Sequence, residues 1–217
     1  MKILIVTQHY WPENFRVTDI SETLVSLGHQ VTVLCGLPNY PKGYIFDEYK
    51  HGKNRIQEHN GVKIVRAKEI GRRNNVLFRF LNYWSYPHYA SKMIKKLDKD
   101  FDVVYVQMSS PIMITKPAIK YAKKYNKKVV MYEMDLWPES LLAGGVANKS
   151  LIYKYYKKYP LIYILKLIRL LFLLKSTFHI LDSFQDVKIW ILNIWLNTLI
   201  RYLKRVILVT KIMALLI

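Results

Sequence analysis

The chain has 217 residues, with 34 Lys and Arg against 15 Asp and Glu, a formal net charge of +19 and a single cysteine, Cys35. One thiol excludes an internal disulfide and fits a reducing compartment, and the short apolar stretch between Lys2 and Gln8 is too brief for a secretory signal core, so cytoplasmic residence is expected. The charge favours anionic partners, whether nucleic acid, nucleotide or lipid phosphate, or an anionic membrane surface.

In chain order, five short runs rich in branched residues read as strands: Ile3–Thr7, Val31–Cys35, Val62–Arg66, Val103–Val106 and Val129–Tyr132. They are mostly unpatterned, as strands buried on both faces should be, which predicts a parallel sheet. Glu13–Leu27 carries apolar residues at Phe15, Ile20, Leu24 and Leu27 and stops at Gly28, the pattern of a helix with a glycine C-cap. Further helices are predicted over Asn75–Leu97 and Pro111–Tyr125. Right-handed crossovers between such elements make an α/β, Rossmann-like parallel sheet. Ligands in sheets of this kind bind outside the carboxyl ends of the strands, so the loops after the first, second, fourth and fifth runs are where a site is expected.

The first of these loops is Gln8-His9-Tyr10-Trp11-Pro12-Glu13-Asn14-Phe15-Arg16. A nicotinamide-binding fold would place G-x-G-x-x-G here for a pyrophosphate, and no glycine is present. Pro12 and Glu13 instead suit the first turn of a helix, where a carboxylate repels phosphate. Beside a contact to a sugar or acceptor stands the plainer reading of a stiff helix start. The fifth run leads into Glu133-Met134-Asp135-Leu136-Trp137-Pro138-Glu139-Ser140. Carboxylates accept hydrogen bonds from hydroxyls and an indole covers the apolar face of a sugar, so this cluster suits a polyhydroxylated ligand. Alternatively Asp135 caps the following helix and Trp137 fills a gap.

The segment Met1–Arg16, the Gly36-Leu37-Pro38-Asn39-Tyr40-Pro41 turn and the Asp135-Leu136-Trp137-Pro138-Glu139-Ser140 run together resemble the amino-terminal domain of family 4 glycosyltransferases. The nearest subgroup assembles bacterial O-antigen, colanic acid and capsule sugars and is of the fucosaminyltransferase kind. The match spans residues 1–158, with three motifs in order. The resemblance implies the GT-B fold, two Rossmann-like domains facing across a cleft, of which this part is the acceptor side. It implies a retaining transfer from a nucleotide-sugar donor, a substrate and not a resident cofactor, to a lipid-linked saccharide in surface polysaccharide synthesis. The departing nucleoside diphosphate would be stabilised by a basic pair, an acidic motif and helix amino-termini in the second domain, and none of those residues can be assigned in this sequence. The acceptor-side residues carried over are Trp11, Asn14 and Arg16, Asn39 and Tyr40, Ser109 and Ser110, and Asp135 and Glu139. Ser109-Ser110-Pro111 is also an ordinary start for a helix.

A second constellation sets Arg72, Arg73 and Arg79 among Val76, Leu77, Phe78, Phe80, Leu81, Tyr83, Trp84 and Tyr86. Arginines beside aromatic residues suit a helix lying at anionic headgroups, with Arg72, Arg73, Arg79, Phe80 and Trp84 at the surface, although many of the rings could equally face the sheet. The lysines at 92, 95, 96, 99, 120, 123, 124, 127 and 128 read as solvated helix faces; no zinc-finger or RNA-binding motif accompanies them, so nucleic acid is not an expected partner. The six histidines are scattered without H-E-x-x-H spacing, which gives no metal site, and G-x-S-x-G is absent.

Composition changes near Tyr159. From Leu151 to Ile217 there is no Gly and no Glu, and 28 of 67 residues are Leu or Ile; no ordinary domain lacks turn residues so completely. Of the net charge, +9 lies in residues 151–217 (11 basic, 2 acidic) and +10 in residues 1–150 (23 basic, 13 acidic). The run Leu161–Leu174 is interrupted by Lys166 and Arg169 and is shorter than the ~20 residues of a spanning helix. Two readings remain: an interfacial basic helix, or a slipped reading frame. Plausible codons for 188–200, read one base earlier, give ENMDIEYLAQYAN, which resembles the family's strand leading into its second domain. The division expected is therefore 1–158, an acceptor-side domain, and 159–217, an out-of-frame or poorly folded tail, leaving a truncated enzyme inactive alone. The other functional class is a noncatalytic membrane-surface or interaction protein with a genuine basic amphipathic tail.

Overall fold

A computed structural model describes residues 1–73, 76–135, 137–143 and 145–158, all within one compact unit. The tail and every reading placed on it lie outside the described residues, as do Asn75, Leu136 and Gly144.

Among the described residues six strands form one sheet: β1 (Lys2–Val6), β2 (Gln30–Cys35), β3 (Ile56–His59), β4 (Val62–Arg66), β5 (Val103–Met108) and β6 (Lys128–Glu133). Their order is β3-β4-β2-β1-β5-β6. All neighbours run parallel except β3 and β4, so the sheet is mixed and not wholly parallel as expected. β3 is a hairpin partner at the edge, turned by Asn60 (φ 47°) and Gly61 (φ 75°). Both central residues at positive φ give the hairpin twist that Asn-Gly favours. That dipeptide was the signal for β3, and reading only for unpatterned runs passes over an edge strand whose side chains alternate between exposed and half-buried.

β1, at the centre, pairs Ile3 with Val31 on one side and Val103 on the other. Ile3, Leu4, Ile5 and Val6 are buried, as two-sided cover demands. α1 (Val17–Ser26) buries Val17, Ile20, Ser21 and Leu24, an i, i+3, i+4, i+7 stripe. It ends where Gly28 turns to φ 82°, with Gly28 N–H donating to Val25 O at 2.9 Å and His29 N–H to Leu24 O at 3.1 Å. α2 (Val76–Met93) runs into a short 3-10 turn, Ile94–Lys96. Its buried Asn82, Tyr86 and Ala90 recur every four residues, and the Tyr86 hydroxyl donates to Leu34 O at 3.0 Å, fastening the helix to β2. The predicted Pro111–Tyr125 helix begins as a 3-10 turn (Ile112–Thr115) and continues as α3 (Lys116–Tyr125), closed by Asn126 in the left-handed region. Right-handed crossovers put α1 on one face of the sheet and α2 and α3 on the other. Among the described residues two short helices follow β6: α4 (Glu139–Ala143) and α5 (Leu151–Lys157), the latter capped by the Ser150 hydroxyl.

The connection reverses direction between β1 and β5. The loops after those strands therefore diverge to opposite faces and leave a crevice at their carboxyl ends.

Candidate functional site

Glu13 does not begin a helix. α1 starts at Val17, and the residues ahead of it form a loop that turns the Glu13 carboxylate inward, 5% exposed. One oxygen, Oε1, accepts the backbone N–H of Asn39 at 2.8 Å and of Tyr40 at 2.6 Å; the other, Oε2, meets Tyr10 N–H at 3.3 Å and His9 Nδ1 at 3.1 Å. A single carboxylate thus ties the loop after β1 to the loop after β2. Burial opposes a charged His9, but the hydrogen bond and charge of Glu13 and the charge of Glu69 outweigh it, and the imidazole pKa is raised above its ordinary value.

Above this tie lies an aromatic shelf. His9 stacks on Phe15 at 5.0 Å between centroids, and the Tyr40 ring stands edge-on to Phe15 at 5.3 Å. Tyr40 is 47% exposed, so the shelf has a free face that could cover a sugar ring. Asn14 and Arg16 are exposed beside it. Asn39 is not available: its side chain is buried and donates to Leu37 O at 2.8 Å and Glu69 Oε1 at 3.1 Å, which makes it a strut of the loop.

Glu69 lies in the turn after β4, outside the four loops to which the sequence points. Its Oε1 also accepts from Gln8 Nε2 at 2.8 Å and Asn82 Nδ2 at 2.5 Å, so β1, β2, β4 and α2 all meet on one carboxyl group. Oε2 is buried with no hydrogen-bond partner among the described residues. Gly36 explains the fit, since a Cβ there would lie 1.7 Å from Oε2. Desolvation pushes the Glu69 pKa up to about 7, against the charge of His9 and the hydrogen bonds of Gln8 and Asn82.

Arg66, the last residue of β4, is 1% exposed. It donates to Trp11 O at 2.7 Å and Gln57 Oε1 at 2.8 Å, and its guanidinium lies 4.7 Å from the Tyr49 ring centroid. Trp11 is held half-buried, its ring stacked on His59 at 4.0 Å.

At the other end of the crevice Asp135 reaches back to β5. Its Oδ2 accepts from Ser110 N–H at 2.9 Å and Ser110 Oγ at 2.6 Å, and Trp137 Nε1 donates to that same hydroxyl at 3.2 Å. Asp135 therefore caps the start of the segment after β5, not the helix that follows it. Trp137 is buried and meets Tyr156 of α5 edge-on at 5.1 Å, the gap-filling alternative. Ser109 is half-buried and Glu139, first residue of α4, is exposed.

The surface arginines divide. Arg79 and Phe80 are exposed on α2, and Phe80 lies 6.2 Å from the half-buried Trp84 ring. Arg73 stacks over Phe78 at 4.1 Å, and half-buried Arg72 lies 5.9 Å from the Tyr83 centroid. No helix among the described residues is long and apolar enough to cross a membrane, and no group of three His, Cys, Asp or Glu among them could hold a metal ion.

No protein-family model and no curated protein matches the chain. Two solved structures of the C-terminal domain of a hydrogenase from Pyrococcus furiosus resemble it weakly. One is 18% identical with a TM-score of 0.39, covering 60% of this chain and 90% of that one. The other is 17% identical with a TM-score of 0.38, covering 60% and 89%. Neither bears on what this chain does.

Proposed function

We propose that residues 1–158 are the acceptor-side domain of a family 4 glycosyltransferase of the GT-B fold, which moves a sugar from a nucleotide-sugar donor to a lipid-linked saccharide at the cytoplasmic face of a membrane, and that residues 159–217 are out of frame. The observation that carries this reading is that the three motif segments, distant in sequence, lie at the carboxyl ends of the parallel strands, where ligands bind in sheets of this kind. Tyr40 offers a ring face, Asn14, Arg16 and Glu139 are exposed polar groups, and Asp135 fixes the loops after β5 and β6.

One wall of a two-domain cleft cannot hold both substrates in reacting geometry. The purified chain therefore binds a lipid-linked saccharide but transfers nothing. Ligand-observed NMR with a detergent-solubilised, short-prenyl diphosphosaccharide checks the first statement, and product analysis after incubation with UDP- and GDP-sugars checks the second. Sugar transfer by the chain alone, or no saccharide binding that Tyr40→Ala diminishes, overturns the reading. Genomic sequence across the codon for Tyr159 checks the frame directly.

A second reading is a noncatalytic membrane-surface or interaction protein that docks through a basic amphipathic tail, with the exposed Leu77, Phe80 and Arg79 of α2 as a further surface. Flotation with anionic vesicles of the full chain against one ending at Lys158 separates the two. Binding conferred only by the tail, with a gain of helical circular dichroism on lipid, favours this second reading.

A further inference from the structure

We propose that the space between the loop after β2, the 3-10 turn Asp47–Gly52 and the turn after β4 is a binding site for a ligand bearing a phosphate or diphosphate. The pocket encloses about 350 Å³ and is lined by Tyr44, Tyr49, Lys50, His51, Arg55 and Arg73. It lies at the carboxyl ends of β2 and β4, on the other side of β2 from the β1–β5 crevice, and does not depend on the transferase reading.

Its frame is backbone held at close quarters. Arg73 N–H donates to Gly43 O at 2.9 Å. A Cβ on Gly71 would come within 2.5 Å of that same oxygen, and one on Gly43 would come within 2.7 Å of Arg73 N. Gly43 also sits at φ 78°, so glycine is required there twice over. The two loops are thus locked together and present Arg73 from a fixed position.

The lining is cationic, and among the described residues only its Lys50 is paired with a carboxylate. Among the described residues the Arg55 guanidinium makes one hydrogen bond, a long one to Ala67 O at 3.5 Å, and neither Arg55 nor Arg73 has a carboxylate within ion-pair distance. Lys50 meets Asp47 at 2.5 Å, an exposed carboxylate able to swing away. Behind Tyr49, the buried Arg66 guanidinium adds a further positive charge, with Nε lacking any hydrogen-bond partner among the described residues. Burial and then the charge of Arg66 lower the Arg55 pKa, as expected of two guanidiniums crowded together. Buried or crowded cations are ordinarily offset by anions. Planar N–H forks match phosphate oxygens in pairs, and the volume, in the range of about 300–1,000 Å³ typical of small-molecule sites, leaves room for an organic body against Tyr44 and Tyr49.

The test titrates inorganic pyrophosphate into the full chain by calorimetry, alongside flotation with vesicles of phosphatidylcholine containing phosphatidylglycerol. The wild-type chain binds pyrophosphate with an affinity that falls as salt rises. Arg55→Gln and Arg73→Glu each weaken binding about tenfold or more, as loss of a charge-assisted bond should, whereas Lys123→Glu/Lys124→Glu on the exposed end of α3 does not. Should Arg55→Gln fail to fold by circular dichroism, Lys50→Glu at the exposed rim replaces it. Pyrophosphate binding that is lost in the pocket variants, with vesicle binding unchanged, supports a soluble phosphate ligand. Vesicle binding lost in the same variants, with pyrophosphate competing, supports a lipid headgroup. No pyrophosphate binding by the wild-type chain, or binding that Arg55→Gln and Arg73→Glu leave unaltered, overturns the proposal.

Discussion

The corner where β1, β2 and β4 end and the corner where β5 and β6 end each join their loops through a carboxylate, but with different depth. At the first, Glu13 and Glu69 are buried and between them accept from seven donors on three segments, the loops after β1 and β2 and helix α2. At the second, half-buried Asp135 serves Ser110 alone, through one N–H and one hydroxyl. Where donors converge on a desolvated group, removing it strands them all at once, and each stranded buried donor costs about 1–3 kcal/mol. Where a carboxylate is half in water, solvent can replace it. The first corner is therefore rigid scaffold, and the second is held by fewer and wetter bonds.

Glu13→Ala should show the largest effect. It strands the N–H groups of Tyr10 and Asn39, both buried, and part of that of Tyr40, for a loss of about 4 kcal/mol. Urea unfolding checks this. Glu13→Gln keeps a carbonyl for Asn39 and Tyr40 and should lose about half as much. A loss under about 1 kcal/mol for Glu13→Ala would mean the two corners do not differ in kind.

Glu69 supplies the next effect, as a dependence on pH. Its folded pKa of about 7 lies above the ordinary glutamate value of 4.5. The folded state thus holds its proton to higher pH than the unfolded chain, so the contribution is complete below pH 4.5 and is lost as pH rises through about 7. The decline across that window is about 3 kcal/mol. His9, whose pKa is also raised, acts in the same direction. Glu69→Gln keeps a carbonyl for the three donors and should flatten the fall between pH 4.5 and 7, leaving the His9 part, which sets in only above pH 6.5; stability measured by urea at five pH values reads it.

How much of this could be read from sequence differs between the two corners for a physical reason. Five strands and three helices were legible because buried parallel strands and amphipathic helices impose periodicity on neighbouring residues. β3 was not, because an edge strand need bury only one face, and its Asn-Gly turn was the overlooked sign. Trp11, Tyr40, Ser110 and Asp135 were named, and Asp135 and Ser110 do meet. Gln8 stands in the first loop and Arg66 at a strand end without a role, and Glu69 and Asn82 carry no sign at all, because their pairing is set by sheet order, which brings the turn after β4 beside β1 and α2 with no trace in local pattern. Glu13 reads in sequence as part of a helix start and is in the structure a buried acceptor; the two roles use the same residue type, and only the position of Val17 as the first helical residue separates them.

Asp135→Ala should cost less than either change at the first corner. The Ser110 N–H and hydroxyl are part-buried and can turn to water, so a loss of about 1–2 kcal/mol is expected. Amide exchange at Ser110 should quicken while that at Asn39 stays slow, which distinguishes a local loosening from general destabilisation.

The smallest effect on folding, and the sharpest separation of scaffold from surface, belongs to Phe80. Its ring is 55% exposed and tilts against Trp84 at 6.2 Å, so Phe80→Asp removes little packing and should change stability by under about 0.5 kcal/mol. The same change places a negative charge beside Arg79 on the face that would meet anionic headgroups, and it should diminish vesicle flotation of the full chain if α2 contributes to docking. Unchanged flotation would assign lipid binding elsewhere, and a large loss of stability would mean that this ring belongs to the core that Glu69 and Asn82 anchor from beneath.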